Sequence, residues 1–91
     1  MLEIVLSNRL KKDLKLAAKR GYNLERLNDV VNLLAAQEKL PEKYKDHELI
    51  GNYVGFRECH IQPDWLLVYR IEDDDLILFL SRTGTHSDLF D

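Results

Sequence analysis

Two short connections constrain this chain more than any other feature. Three β-like runs, residues 53–61, 65–71 and 76–81, are separated only by Gln62-Pro63-Asp64 and by a turn through Asp73-Asp74-Asp75. Connections that short join neighbouring strands as hairpins, so the C-terminal half is predicted to be an antiparallel meander. Side chains alternate along a strand, which places Glu58 and His60 on one face of the first run and Arg57 and Cys59 on the other. Leu76-Ile77-Leu78-Phe79-Leu80 is apolar at every position, as expected of a central strand covered on both sides.

The N-terminal half reads differently. Leu2-Glu3-Ile4-Val5-Leu6 suits a short strand, and Ser7 or Asn8 offers an N-cap for a helix carrying Leu10, Leu14, Ala17 and Ala18 at helical spacing. Lys19-Arg20-Gly21 supplies cations and a glycine where that helix should end. Asn23 caps a second helix with Leu24, Leu27, Val30, Val31, Leu34 and Ala35 on one side, and Pro41 is predicted to stop it after Lys39-Leu40. Two helices joined by so short a link pack as an antiparallel hairpin. The order β-α-α-β-β-β therefore predicts an α+β fold, an antiparallel sheet with the hairpin on one face and polar groups gathered on the other. With 91 residues the chain is expected to be a single domain over 1–91.

Charge and cysteine content narrow the setting. The net charge is −3, but residues 1–47 carry ten Lys/Arg against seven Asp/Glu, net +3, and residues 48–91 carry three against nine, net −6. The lysines at 11, 12, 15 and 19 fall largely off the apolar stripe, where a solvated face is the simplest reading and phosphate contact a second one. Cys59 is the sole cysteine, so no internal disulfide or Cys/His zinc motif is available. The chain shows no signal-peptide pattern and no apolar run near the ~20 residues that span a membrane. A cytoplasmic protein is expected.

The polar residues cluster. Arg57-Glu58-Cys59-His60-Ile61-Gln62-Pro63-Asp64-Trp65 sets a guanidinium, an imidazole, a carboxylate and an indole about one turn, His47 lies in a polar loop over 41–52, and Arg82 and His86 stand near the C-terminus. An unperturbed imidazole titrates near pH ~6.5 and can both accept and donate a proton. Metal-free RNA cleavage needs a base for the ribose 2′-hydroxyl, an acid for the departing 5′-oxygen, and cations for the phosphate. His47, His60, Asp64 and His86 suit the proton transfers, Arg57 and Arg82 the phosphate, and Trp65, Tyr53 or Phe90 the stacking of an unpaired base. Each has a plainer alternative. Asp64 is a favoured turn residue, Arg57 and Arg82 could pair with Glu58, Glu72 or other carboxylates, and Trp65 could be core. The histidine separations match no compact metal motif, so no metal or other cofactor is expected, and Asp73-Asp74-Asp75 reads as a solvated hairpin tip.

Three stretches together resemble a known family. Tyr44-Lys45-Asp46-His47-Glu48-Leu49, the run from Gly55 to Tyr69 with its His-x-Pro-Asp-Trp core, and Arg82-Thr83-Gly84-Thr85-His86-Ser87-Asp88-Leu89-Phe90 are similar to the YafQ branch of the RelE-type toxins of bacterial toxin–antitoxin modules. The resemblance covers essentially the whole chain. It implies a ribosome-dependent endoribonuclease that cuts mRNA in the decoding site by 2′-hydroxyl attack, with His47, His60, Asp64 and His86 as the proton-transfer group. Arg82 would face the phosphate, Trp65 and Phe90 would shape or stack within the site, and the base would be His60 or Asp64 and the acid His86. It also implies a neutralising antitoxin, with operator DNA contacted only through the antitoxin complex. The alternative is a catalytically weak or inactive toxin relative that serves as an antitoxin-binding module and co-repressor. Toxins of this kind are typically basic, whereas this chain has a pI near 5.6.

Overall fold

A computed structural model describes residues 1–90. Helix α1 (Asn8–Lys19) begins at Ser7, whose hydroxyl accepts the Leu10 amide at 2.9 Å and donates to the Ser81 carbonyl at 2.6 Å. One side chain thus caps the helix and ties it to the sheet. The helix closes as the Tyr22 amide reaches the Ala17 carbonyl and the Gly21 amide the Ala18 carbonyl. Gly21 sits at φ +80°, the left-handed position that glycine tolerates best. Helix α2 (Leu24–Ala35) starts at Asn23, whose side chain accepts the Glu25 amide.

The stop predicted at Pro41 comes too late. A second turn of the same kind, from the Glu38 amide to the Leu33 carbonyl and from the Gln37 amide to the Leu34 carbonyl, ends α2 after Ala35 with Gln37 left-handed at φ +60°. Leu40 then returns to the core as an irregular segment and is buried there.

Five strands form one sheet: β1 (Glu3–Leu6), β2 (His47–Glu48), β3 (Arg57–Gln62), β4 (Trp65–Glu72) and β5 (Ile77–Gly84), in the order β1-β5-β4-β3-β2. Strands β3, β4 and β5 make the predicted meander. Because β1 runs parallel to β5, the sheet is mixed and not antiparallel throughout. Those two strands are joined by nearly the whole chain, so no tight turn dictates their relative direction. The strand predicted over 53–61 starts only at Arg57, since Gly51–Tyr53 form one 3₁₀ turn and Gly55 at φ +94° breaks the extended backbone. At the other end β5 runs on to Gly84, and a short helix α3 (His86–Phe90) follows.

The main core lies between the hairpin and the sheet. Leu10, Leu27, Val30 and Leu34 meet Cys59, Ile61, Trp65, Leu67, Tyr69 and Leu78 there. On the opposite face Leu66, Val68 and Leu89, with Leu49, Phe56 and Phe90 at the margin, make a smaller apolar floor. No helix among the described residues is long and apolar enough to cross a membrane.

Cys59 has no exposed surface, and burial first, then the nearby Asp46 and Glu58 carboxylates, push its thiol far above the ordinary range. The thiolate is the reactive form, so the folded protein is expected to resist alkylation at pH 8 and to react only once denatured. Mass spectrometry after a timed iodoacetamide pulse checks this. Rapid labelling of the native protein would mean that β3 opens.

Candidate active site

Strand register decides which polar groups meet. Directly opposed residues on antiparallel strands share a face. His47, Glu58, Val68 and Arg82 therefore form one row across β2, β3, β4 and β5, and His60, Leu66 and Gly84 form the next. Both rows lie on the face that the hairpin leaves open. Leu66 and Val68 are its floor.

Glu58 is the centre of the better-defined part. Its side chain is only 8 % exposed, yet Oε1 lies 3.6 Å from His47 Nε2 and 3.5 Å from His60 Nε2. The two rings stand 6.4 Å apart, one on either side of the carboxylate. His47 Nδ1 lies 2.8 Å from the Lys45 carbonyl and His60 Nδ1 lies 3.3 Å from the Pro63 carbonyl. A carbonyl can only accept, so each Nδ1 carries the hydrogen and each Nε2 is the atom left to exchange a proton. Both exchangeable atoms point toward the same carboxylate.

The segment holding His47 is itself anchored. Asp46 accepts from Arg57 Nη2 at 3.1 Å and from the Tyr69 hydroxyl. Tyr69 belongs to the main core, so Asp46 pins the two-residue strand β2 from the hairpin side of the sheet. The same contact raises Arg57 above its usual range, and the Tyr69 hydroxyl is raised mainly by burial and then by Asp46.

His86 opens α3 on the far side of the floor. Its ring is 5.2 Å from that of Phe90, which meets Tyr53 edge-on at 5.3 Å. Asp88 fixes this helix: its carboxylate accepts the Thr85 amide at 2.9 Å and takes a forked bond from Arg20 at 2.6 and 3.2 Å, while the Thr85 hydroxyl accepts the Asp88 amide. Gly84 makes this possible, because a Cβ there would stand 2.9 Å from the Asp88 carboxylate oxygen.

The Arg20 guanidinium, and then the Thr85 amide, hold the Asp88 carboxyl well below the usual carboxylate range. A carboxylate held low stabilises the fold above the pH at which it titrates when unfolded, about 4, and that contribution is lost as pH falls through this range and below. Asp88→Asn is therefore expected to flatten the acid limb of a plot of Tm against pH below about 4. Identical acid limbs for the two proteins would show that Asp88 does not anchor α3.

The other predicted site residues separate. Arg57 lies on the hairpin face with Tyr69, held by Asp46 at 3.1 Å and near Glu48 at 3.5 Å, so it is not a phosphate contact on the histidine face. Trp65 is 2 % exposed in the main core, donates Nε1–H to the Thr83 hydroxyl at 2.9 Å and packs 4.9 Å from the Tyr22 ring. No face of the indole is open to a base. Asp64 sits exposed in the β3–β4 turn, beside the row that holds His60. Arg82 is on the histidine face, but Nε and Nη2 are taken by Asp13 at 2.8 and 3.2 Å, and that hydrogen bond raises its guanidinium above the usual range.

Sequence reasoning missed the role of Glu58. Its alternation with His60 was visible, but nothing in the sequence marked the two-residue strand that brings His47 against it. Arg70 was also missed; it lies on the histidine face with its guanidinium 4.9 Å from the Phe56 ring and 5.2 Å from the Phe79 ring, and pairs with Glu72 at 2.9 Å. Among the described residues, no three His, Cys, Asp or Glu side chains are arranged to hold a metal ion.

Residues 2–91 match the family model described as the bacterial toxin of type II toxin–antitoxin system, YafQ. The chain belongs to the YafQ toxin family. It is 42 % identical over 89 residues to the mRNA interferase toxin YafQ of Escherichia coli strain K12, covering 97 % of this chain and 95 % of that one. Among solved structures, a metal-bound toxin from Helicobacter pylori superposes with a TM-score of 0.94 at 50 % identity, covering 99 % of this chain and 100 % of that one. YafQ in the Escherichia coli DinJ–YafQ complex superposes at 0.90 with 39 % identity, covering both chains in full. The predicted α+β, RelE-like fold is thus the fold of this chain, with the parallel edge strand β1 as the correction.

Proposed function

We propose that this chain is the toxin of a type II toxin–antitoxin pair and acts as a ribosome-dependent mRNA endoribonuclease. The observation that carries the reading is the pair of imidazoles whose Nε2 atoms flank the buried Glu58 on the open sheet face. Kinship with proteins named mRNA interferases supports it. The face offers proton-exchanging groups on both sides of an apolar floor. His60 Nε2, beside the Glu58 carboxylate that His47 also flanks, takes the proton of the ribose 2′-hydroxyl. The freed oxygen attacks the adjacent phosphorus, the bond to the 5′-oxygen breaks, and His86 across the floor gives that oxygen its proton. The products are a 2′,3′-cyclic phosphate and a 5′-hydroxyl, with no metal in the reaction. Asp64, at the β3–β4 turn, serves as the alternative proton acceptor.

Arg82 keeps Nη1 for the phosphate while Asp13 fixes the rest of its guanidinium, a preorganised arrangement for charge that develops in the transition state. Phe90 and Tyr53 offer the aromatic surface for an unpaired base. At net −3 the chain has little long-range attraction for RNA, so what the ribosome contributes in this reading is a strand held extended and oriented, not attraction by charge. The partner that restrains the toxin is a cognate antitoxin, as DinJ is for YafQ in the solved complexes, and operator DNA is contacted through that complex.

Incubating the purified protein with an mRNA, alone and loaded on ribosomes, tests the reading. Cuts are expected only on loaded mRNA, and they should persist with a transition-metal chelator that spares the magnesium ribosomes need, a control that the metal-bound Helicobacter pylori relative makes necessary. Equal cutting of free mRNA would contradict ribosome dependence, and loss of cutting with chelator would contradict the metal-free route. An intact mRNA beside tight antitoxin binding would favour the inactive co-repressor.

A further inference from the structure

A second group of cations lies just behind the histidine pair. On its outer side β3 is paired only at Arg57 and Glu58, through β2, so its edge is bare from Cys59 onward. That edge, the 3₁₀ turn at Glu42–Tyr44 and the exposed side of α2 enclose a cleft of about 660 Å³. Arg26, Asp29, Lys43, Tyr44, Lys45 and His60 line it, together with residues 61–63. His60 therefore belongs to the cleft and to the candidate active site at once.

The charges here are uncommitted. Arg20, Arg57, Arg70 and Arg82 are each held in an ion pair, whereas Arg26, Lys43 and Lys45 have no carboxylate within salt-bridge distance among the described residues. Three cations face one carboxylate, Asp29, in a chain whose overall charge is −3. Lys43 Nζ stands 5.1 Å over the Tyr44 ring, which puts an ammonium and an aromatic face side by side on the wall. Cations beside an aromatic ring are what single-stranded nucleic acid uses, the former for phosphate and the latter for a base. The volume falls in the range of small-ligand sites.

The geometry points to this cleft as a binding site for single-stranded RNA, holding a nucleotide next to the one that is cut, with its phosphate on Arg26, Lys43 and Lys45 and its base against Tyr44. The inference rests on the nuclease reading and extends it. Because His60 forms part of the wall, a nucleotide seated here sets the strand's register over the proton-exchanging atoms.

Wild type, the Arg26→Ala/Lys43→Ala double variant and Tyr44→Ala are titrated with a fluorescein-labelled, non-cleavable 2′-O-methyl hexanucleotide, and their cuts on ribosome-loaded mRNA are mapped. The double variant, which alters only exposed side chains, should bind the hexanucleotide about tenfold more weakly and with a shallower salt dependence. Altered preference for the nucleotide beside the cut would identify mRNA as the occupant. A uniform fall at every site with preference unchanged would show that the cleft holds RNA other than the strand being cut, and would overturn its role in setting register. Hexanucleotide binding and cleavage equal to wild type in both variants would overturn the cleft as an RNA site, as would a loss confined to antitoxin affinity, which would make the cleft a protein interface. A wild type that neither binds nor cuts would instead overturn the nuclease reading itself and the cleft with it.

Discussion

His60→Ala is expected to lower cleavage of ribosome-loaded mRNA by about 10² to 10⁴-fold, the contribution usual for a positioned acid or base. The fold should survive. His60 lies outside both apolar clusters, and among the described residues the polar partners of its ring are the Pro63 carbonyl and Glu58. Single-turnover cleavage is the measurement, with unfolding midpoint and antitoxin affinity as controls. Glu58→Gln keeps the shape of the side chain while removing its charge, and should cost less than His60→Ala because Glu58 is placed to touch the imidazoles and not the substrate. A His60→Ala protein that cuts as fast as wild type would remove His60 from the reaction.

Trp65→Ala is expected to produce the largest loss of stability, about 3 to 5 kcal/mol, the range for truncating a buried aromatic residue. For a small domain whose whole stability is about 5 to 15 kcal/mol, that is a large share. The reason is visible in its surroundings. The indole fills the main core against Tyr22, and its N–H is satisfied by the Thr83 hydroxyl, which in turn donates to the Leu66 carbonyl at 2.6 Å. Trp65→Phe should cost less, since it retains most of the packing and leaves Thr83 its bond to Leu66. Urea unfolding with antitoxin absent measures both. If Trp65→Ala folded as stably as wild type and had lost only cleavage, the residue would act on substrate and its burial would not be the reason it matters.

These two variants show where the sequence was legible and where it was not. Ser7, Gly21 and Asn23 announced helix ends because a cap is decided by a few neighbouring residues, and the two short turns announced the meander for the same reason. The pairing of β1 with β5 was hidden, since it joins the two ends of the chain and no local signal encodes it. Within the candidate site, parity along β3 was readable and already set Arg57 apart from Glu58 and His60. Its residue type alone suggests a phosphate contact, but its guanidinium is held by Asp46, which also accepts from the Tyr69 hydroxyl.

His47 is the harder case. Its strand spans two residues, too short for any periodicity, and only the register His47↔Glu58 reveals that a loop histidine and a strand histidine share one carboxylate. Trp65 failed in the opposite sense. It sits next to a polar turn in sequence, but the opposed pair is His60↔Leu66, so its neighbour Trp65 points into the hairpin core.

In the proposed reaction, groups on the open sheet face take a proton from a ribose 2′-hydroxyl and give one to the departing 5′-oxygen. The most direct test is single-turnover cleavage on ribosomes of an mRNA carrying one 2′-deoxynucleotide at a mapped cut site. Cutting there is expected to stop while other sites are cut as before, and the unmodified mRNA is expected to yield a 2′,3′-cyclic phosphate. Cutting at the deoxy position at the wild-type rate would contradict this reaction, because no 2′-oxygen would then be available to attack.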